Sequence, residues 1–263
     1  MRELVLTTTT SAYDSGLLIH LSQKFEARYN YHVNVISVGS GLALELAKQG
    51  KSDVVLVHDS RNEQQFIDEG FGVNRRLVMH NDFILVGPLE DPANISDCVT
   101  ITEAFQKLAE AKVIFISRDD ASGTATREKL IWEAAKIDRT TINIQSTKSG
   151  MAESLIIASS KGGYLLTDRA TYLAMKPELK LKVIFEGDEL LLNVYHVIQV
   201  SPDKFPHVNA EGARTFINFL LGEGQEIIAN FMENKQENPP FIPDGGRDVN
   251  EVIKTQEQLA FIY

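Results

Sequence analysis

The stretch Ser117-Arg118-Asp119-Asp120-Ala121-Ser122-Gly123-Thr124 joins a strand-like run, Val113 to Ile116, to a helical run reaching Lys136. A strand, a short polar loop and then a helix is the opening half of an α/β crossover. The first helical turn leaves backbone N–H groups without partners and carries a partial positive charge, so such a loop is suited to an anion. Ser122 and Thr124 add hydroxyl groups, Gly123 lets a ligand approach the backbone, and Arg118 brings a fork of N–H donors with permanent charge. An ordinary reading fits the same residues: Ser122 as an N-cap and Arg118 paired with Asp119 or Asp120.

The layout recurs. Leu4-Val5-Leu6 leads into Thr7-Thr8-Thr9-Thr10-Ser11-Ala12-Tyr13-Asp14-Ser15-Gly16, followed by Leu17, Leu18, Leu21 and Phe25 at helical spacing. Five consecutive hydroxyl residues make a poor helix and a poor buried strand end unless something accepts their protons. His32 to Val38 reads as a strand that ends at Gly39-Ser40-Gly41, with Leu42, Leu46 and Ala47 on the helix beyond. Ser146-Thr147-Lys148-Ser149-Gly150 stands before a helical run from Met151 to Ser160. Each loop alone reads as a Ser/Thr cap; several at strand ends point to one donor-lined site.

Strand-like runs also fall at Val54–Val57, Phe83–Val86, Ile142–Gln145, Tyr164–Thr167, Val183–Phe185 and Asn193–Val200, and helix-like runs at Glu63–Glu69, Thr102–Ala111, Glu211–Leu221 and Gly224–Asn234. This alternation predicts an α/β fold of two lobes, each a mainly parallel sheet flanked by helices, in which ligands sit off the strands' carboxyl ends. Strands starting near Met79-His80-Asn81-Asp82 and Leu192-Asn193-Val194-Tyr195 read as two hinge strands. They divide the chain into 1–80 plus 197–263 and 81–196, with the Thr8–Ser11 and Ser40 loops expected to face Arg118–Thr124 and Ser149 across a cleft. The tail Asn238-Pro239-Pro240-Phe241-Ile242-Pro243-Asp244-Gly245-Gly246 reads as a surface-hugging loop.

With 263 residues, 43% of them hydrophobic, the chain is long enough to bury a sizeable core. No apolar run reaches the roughly 18 residues of a membrane helix, and Met1-Arg2-Glu3-Leu4 shows no apolar signal segment. Cys98 is the single cysteine, which excludes an internal disulfide and a thiolate metal cluster. The six histidines show no zinc-ligand spacing, so neither a metal-ion site nor a cofactor is expected. A net charge of −10 argues against nucleic acid and anionic membranes as partners. It leaves a buried anion possible, because surface carboxylates beyond about 10 Å are screened.

Taken together, Thr8-Thr9-Thr10-Ser11 with Tyr13-Asp14-Ser15-Gly16, Leu56-Val57-His58-Asp59, Gly72-Val73-Asn74-Arg75-Arg76, Asn81-Asp82-Phe83, Val86-Gly87-Pro88, Ser117-Arg118 with Ser122-Gly123-Thr124, and Leu166-Thr167-Asp168-Arg169-Ala170-Thr171-Tyr172-Leu173 resemble the tungstate-binding proteins of ABC importers. The resemblance spans nearly the whole chain and implies a type II periplasmic-binding-protein fold closing on a tetrahedral oxyanion. It implicates the Thr8–Ser11 loop, Ser40, Arg118 and Thr124 in binding, supported by Ser122 and Gly123; Ala12 stands where the family often has a hydroxyl residue. The donor loops add Ser149 and Gly150 to the candidates.

The resulting expectation is a non-catalytic, monomeric protein that binds tungstate or molybdate and hands it to an ABC permease outside the cytoplasm. A proton-free dianion suits an all-donor site, whereas protonated phosphate needs an acceptor. Asp59 is the residue to watch, since it either points a carboxylate at the ligand or caps the helix near Glu63. The alternatives are a phosphate- or sulfate-binding protein, a cytosolic oxyanion sensor, and a phosphoester-processing enzyme with His58 as base. Gly50-Lys51-Ser52 lacks the first glycine of a phosphate loop, Glu45 standing in its place, and no Gly-x-Ser-x-Gly elbow occurs.

Overall fold

The computed structural model describes residues 1–120, 122–231, 239–248 and 252. In chain order the elements are β1 (Arg2–Thr9), α1 (Thr10–Asp14), α2 (Leu17–Arg28), β2 (Tyr31–Val38), α3 (Ser40–Lys48), β3 (Val54–Val57), α4 (Ser60–Asp68), β4 (Gly72–Pro88), α5 (Ile101–Ala111), β5 (Phe115–Ser117), α6 (Gly123–Ala134), β6 (Ile144–Ser146), α7 (Met151–Lys161), β7 (Tyr164–Asp168), α8 (Arg169–Met175), β8 (Leu181–Phe185), β9 (Leu192–Val200), α9 (Ala210–Leu221), α10 (Glu223–Ala229) and β10 (Ile242–Pro243). They fall into two units, Met1–Asn81 with Val194–Tyr263 and Asp82–Asn193; the chain passes from one to the other within β4 and within β9.

In the first unit β1 runs parallel to β2 in register from Arg2↔Tyr31 to Thr9↔Val38, and parallel to β3 with Thr8 beside Leu56. β9 flanks β3 antiparallel, with Val57 beside His196, and β10 pairs antiparallel with β4 at Ile242↔His80. The buried Ala43, Leu44 and Ala47 lie on one face of α3, the spacing of an amphipathic helix, and join Val55, Val57 and Ile198 in one apolar cluster. Phe25 of α2 stacks on Tyr29 at 4.9 Å and meets Phe216 of α9 edge-on at 5.0 Å, fixing both helices to the same face.

The second unit is built around β5, parallel to β6 (Ser117↔Ser146) and to β7 (Ile116↔Leu165). β4 pairs antiparallel with β7 at Phe83↔Asp168 and with β8 at Pro88↔Leu181. One face of this sheet buries Phe83, Phe115, Tyr164 and Leu166 against Phe105 of α5 and Trp132 of α6. Trp132, the only tryptophan, lies 4.4 Å from the Phe105 ring and 5.2 Å from Phe115. The other face buries Ile84, Ile116 and Leu165 against Met151 and Leu155 of α7. A fully buried leucine or phenylalanine contributes about 1.5 to 3 kcal/mol, so these layers supply the main stabilising force.

The α/β expectation holds, but the sheets are mixed rather than mainly parallel. Parallel pairing joins β1 to β2 and β3, and β5 to β6 and β7, while β4, β8, β9 and β10 pair antiparallel. Three local expectations also change. Thr10–Asp14, read as loop, forms a short helix because Thr9 caps it, its hydroxyl accepting the Ala12 N–H. The strand expected near Met79 begins at Gly72, and α8 follows β7 where no helix was read.

Over its described part, 239–246, the tail packs more closely than a surface-hugging loop. Phe241 is buried 6.0 Å from the Tyr195 ring, Asp244 is buried, and Ile242–Pro243 add a strand to β4. Asn238 and residues 232–234 of the last predicted helix lie outside the described residues, and α10 ends at Ala229.

Candidate functional site

In the first unit the parallel register of β1, β2 and β3 brings three loops to one carboxyl edge. Thr9 lies beside Val38 and Thr8 beside Leu56, so Thr9–Ser11, Gly39–Ser40 and His58–Asp59 leave neighbouring strands, spaced by about 4.8 Å. Their hydroxyls are not equivalent. Thr7 Oγ1 is 3.0 Å from Ser52 Oγ, and the Thr8 hydroxyl donates to the Leu56 carbonyl at 2.8 Å, so both brace β1 against its neighbours. Thr9 Oγ1 sits 3.2 Å from Ser11 Oγ, which in turn is 3.4 Å from His58 Nε2. Thr10 opens α1 and is partly exposed.

Ser40 is different. It is fully buried at the start of α3, and its Oγ has no hydrogen-bond partner among the described residues. α3 is capped by Gly39, which has no side chain to satisfy the first-turn N–H groups. A buried hydroxyl and an open helix start together form a donor set with no acceptor of their own.

Asp59 caps α4. Its carboxylate accepts from Asn62 N at 3.3 Å and Asn62 Nδ2 at 2.6 Å, while its own N–H donates to Glu63 Oε1 at 2.8 Å, a reciprocal capping arrangement. Of the two roles read for Asp59, this is the structural one. Glu63 is fully buried, and burial by itself would raise its pKa. His196 Nδ1 at 2.9 Å and the Arg75 guanidinium at 2.7 Å outweigh that and hold the carboxyl below its ordinary value. Thus a buried charge cluster reaching β4 and β9 holds the His58–Asp59 loop.

In the second unit Arg118 follows β5 and is 4% exposed. Its Nε and Nη2 donate to Asp120 Oδ2 at 3.2 and 2.6 Å. The other Asp120 oxygen accepts from the Ser122 N–H at 3.1 Å and from the Ser122 hydroxyl. Ser122 Oγ also accepts from Ala125 N at 3.2 Å, capping α6. The ordinary reading of this loop is therefore realised in its bonds: Ser122 is a cap whose proton is committed to Asp120. What remains for a ligand are Arg118 Nη1 and the Thr124 hydroxyl, neither of which has a hydrogen-bond partner among the described residues, and the first-turn N–H of Gly123.

The Ser149 loop is stitched to the same place. Thr147 N and Lys148 N donate to the Ser117 and Arg118 carbonyls, both at 2.9 Å, and Thr147 Oγ1 is 2.8 Å from Ser154 Oγ. Ser149 Oγ lies 3.4 Å from Ser154 Oγ, and Gly150 starts α7 without a side-chain cap. A Cβ placed on Gly150 would meet nothing within 4 Å, so its backbone is open to approach.

Two residues of this unit do more than their sequence context implies. Asp120 anchors both Arg118 and Ser122. Asp168, at the carboxyl end of β7, is fully buried; its Oδ1 accepts from Thr171 N and Oγ1 at 2.9 and 3.0 Å, while Oδ2 has no partner among the described residues. Burial pushes its pKa up, against the opposing pull of Thr171 and Arg118. The readable signal for Asp168 was Asp-x-x-Thr directly after a strand, an Asx cap at a sheet's ligand-facing end. Among the described residues no group of three or more His, Cys, Asp or Glu side chains is placed to hold a metal ion, and no helix is long and apolar enough to cross a membrane.

These features define the class: a two-unit α/β protein with donor-rich loops at the carboxyl ends of parallel strands. A family model described as a PBP superfamily domain matches residues 2–223. The tungstate-binding protein TupA of Peptoclostridium acidaminophilum is 40% identical over 93% of this chain and 86% of its own. The crystal structure of the tungstate ABC transporter from Geobacter sulfurreducens aligns with a TM-score of 0.81 at 43% identity, covering 87% of this chain and 98% of that one. The tungstate-binding protein TupA from Desulfovibrio alaskensis G20 aligns at 0.79 and 33% identity over 93% and 100%. The chain belongs to the PBP superfamily, among its TupA-type members.

Proposed function

We propose that this protein is a non-catalytic carrier that binds tungstate or molybdate and delivers it to an ABC importer permease. The observation that carries the reading is Ser40: a fully buried hydroxyl without a partner, on a helix start without a side-chain cap. Leaving a buried donor unsatisfied costs about 1 to 3 kcal/mol, a cost that an acceptor-only ligand removes. A tetrahedral metallate dianion is such a ligand.

The candidate donors are the Thr9–Ser11 segment and Ser40 within the first unit and, within the second, Arg118, Gly123, Thr124, Ser149 and Gly150. Thr8 and Ser122 hold their neighbours in place. Charge-assisted hydrogen bonds contribute roughly 1.5 to 3 kcal/mol each, so a handful supports nanomolar affinity, about −12 kcal/mol. The names of the TupA relatives support tungstate as the ion, and the tungstate ABC transporter from Geobacter sulfurreducens supports a permease as partner. An exported, extracytoplasmic monomer is part of the same proposal.

Against the enzyme reading, His58 is engaged with Ser11 and packs on the Tyr195 ring at 4.7 Å, and Asp59 is a helix cap. Calorimetric titration with tungstate, molybdate, sulfate and phosphate tests the proposal: tight binding of the first two is expected, and no heat from either overturns it.

A further inference from the structure

We infer that metallate binding is coupled to the uptake of one proton by Asp168, which makes this aspartate a second determinant of which anions the site accepts. The inference rests on the function proposed above and adds to it a residue and a linkage. It starts from charge arithmetic around Arg118. The β5–β7 register sets Ile116 beside Leu165, so Arg118, two residues on, comes level with Thr167, next to Asp168. Arg118 is already bonded through two nitrogens to Asp120. One guanidinium therefore answers to two carboxylates before any ligand arrives.

Most of the other charged groups on the elements packed against β7 have their own partners. Arg169 of α8 binds Asp82 of β4 and Glu186. On α6, Arg127 donates to the carbonyls of Leu190 and Leu192, and Glu128 accepts from Ser117 and Arg139. On α7, Glu153 lies in the first turn and Lys161 at the far end, where it donates to Gln145. Asp119 accepts from Ser146 and lies 3.9 Å from Arg139. Arg118 is the cation whose charge acts on Asp168.

A dianion settling on Arg118 brings two further negative charges to this cluster. In a buried site such like charges cannot all stay ionised, and the carboxyl with the poorest solvation takes up a proton. Asp168 is that group: it is 0% exposed, and its Oδ2 has no partner among the described residues, whereas both Asp120 oxygens accept hydrogen bonds. Protonation at Oδ2 turns the cluster's one unpartnered acceptor into a donor. The balance is simple: protein, metallate and one proton from solvent give a complex with Asp168 neutral. An anion that carries its own proton, such as hydrogen phosphate, gains less from this arrangement because the acceptor it needs has become a donor.

Isothermal calorimetry of the whole chain with sodium tungstate, in buffers of differing ionisation enthalpy at pH 7 to 9, measures the proton count directly. The expected wild-type result is uptake approaching one proton, with affinity falling about tenfold per pH unit above the pKa of Asp168 in the free protein. Asp168→Asn keeps the oxygen that caps α8 and supplies a fixed donor at the other position. It should bind tungstate with no proton uptake and a flat pH profile. Tungstate binding by wild type without proton uptake overturns the inference and leaves the carrier reading intact, as does uptake that persists in Asp168→Asn. Weakened binding in Asp168→Asn with an unchanged thermal midpoint also overturns it, because it would show that the ionised carboxylate is required. Absence of any tungstate or molybdate heat in wild type overturns both readings.

Discussion

Arg118 and Asp120 are joined through a single carboxylate oxygen, Oδ2, which accepts from both Nε and Nη2 at 3.2 and 2.6 Å. The pairing orients the guanidinium and leaves Nη1 for another acceptor. Arg118→Ala removes that donor and the charge opposing a buried dianion. Tungstate affinity should fall by about 2 to 5 kcal/mol, thirtyfold or more, measured by calorimetry. Equal affinity would show that the ion binds elsewhere.

Ser40→Ala should separate folding from binding. Deleting a buried hydroxyl that has no partner leaves no new unsatisfied group, so stability should stay constant or rise by up to about 1 kcal/mol. Tungstate affinity should drop by about 1.5 to 3 kcal/mol, tenfold or more. Urea unfolding in the absence of tungstate, set beside a tungstate titration, reads both.

Glu63→Gln breaks the cluster with Arg75 and His196, removing the buried negative charge that faces the Arg75 guanidinium. A loss of about 3 kcal/mol at pH 7 is expected. Because the Glu63 carboxyl titrates below its ordinary value when folded, the stability it contributes is present above the unfolded carboxyl pKa and is lost as pH falls through the folded one. The gap between wild type and variant in urea melts should therefore narrow as the pH is lowered below about 4.5.

Gly87→Ala tests the packing of the second unit. A Cβ there would lie 2.5 Å from Cδ1 of Tyr164, whose hydroxyl is fixed by donating to Asp91 at 2.6 Å and accepting from Ala93 N at 3.0 Å. The ring has no room to withdraw, and a destabilisation of about 1 to 3 kcal/mol should appear in thermal melts.

Much of this was readable in the residues. The α/β alternation, the donor loops at Ser40 and Arg118–Thr124, the Arg118–Asp120 pairing and the capping role of Asp59 all follow from local chemistry, because a strand end before a helix restricts what a hydroxyl or carboxylate can do. Other features depended on partners distant in sequence. Whether Thr8 offers its proton to a ligand or to Leu56 is decided by the register of β1 on β3, which no local pattern encodes. Phe241 sits among prolines and glycines typical of a loop, yet the Tyr195 ring gives it a place to bury. The antiparallel strands β4 and β9 likewise take their pairing from segments far away in the chain, as in Phe83 beside Asp168 and Val57 beside His196.

Trp132 lies among Phe105 and Phe115 in the second unit, on the helix whose first turn carries Thr124. The chain thus holds a single indole chromophore, sealed from solvent inside one of its two halves. Its emission is a native spectroscopic label for that half: a red shift during denaturation timed against the far-ultraviolet signal reveals whether the halves melt together or in turn, with no dye attached.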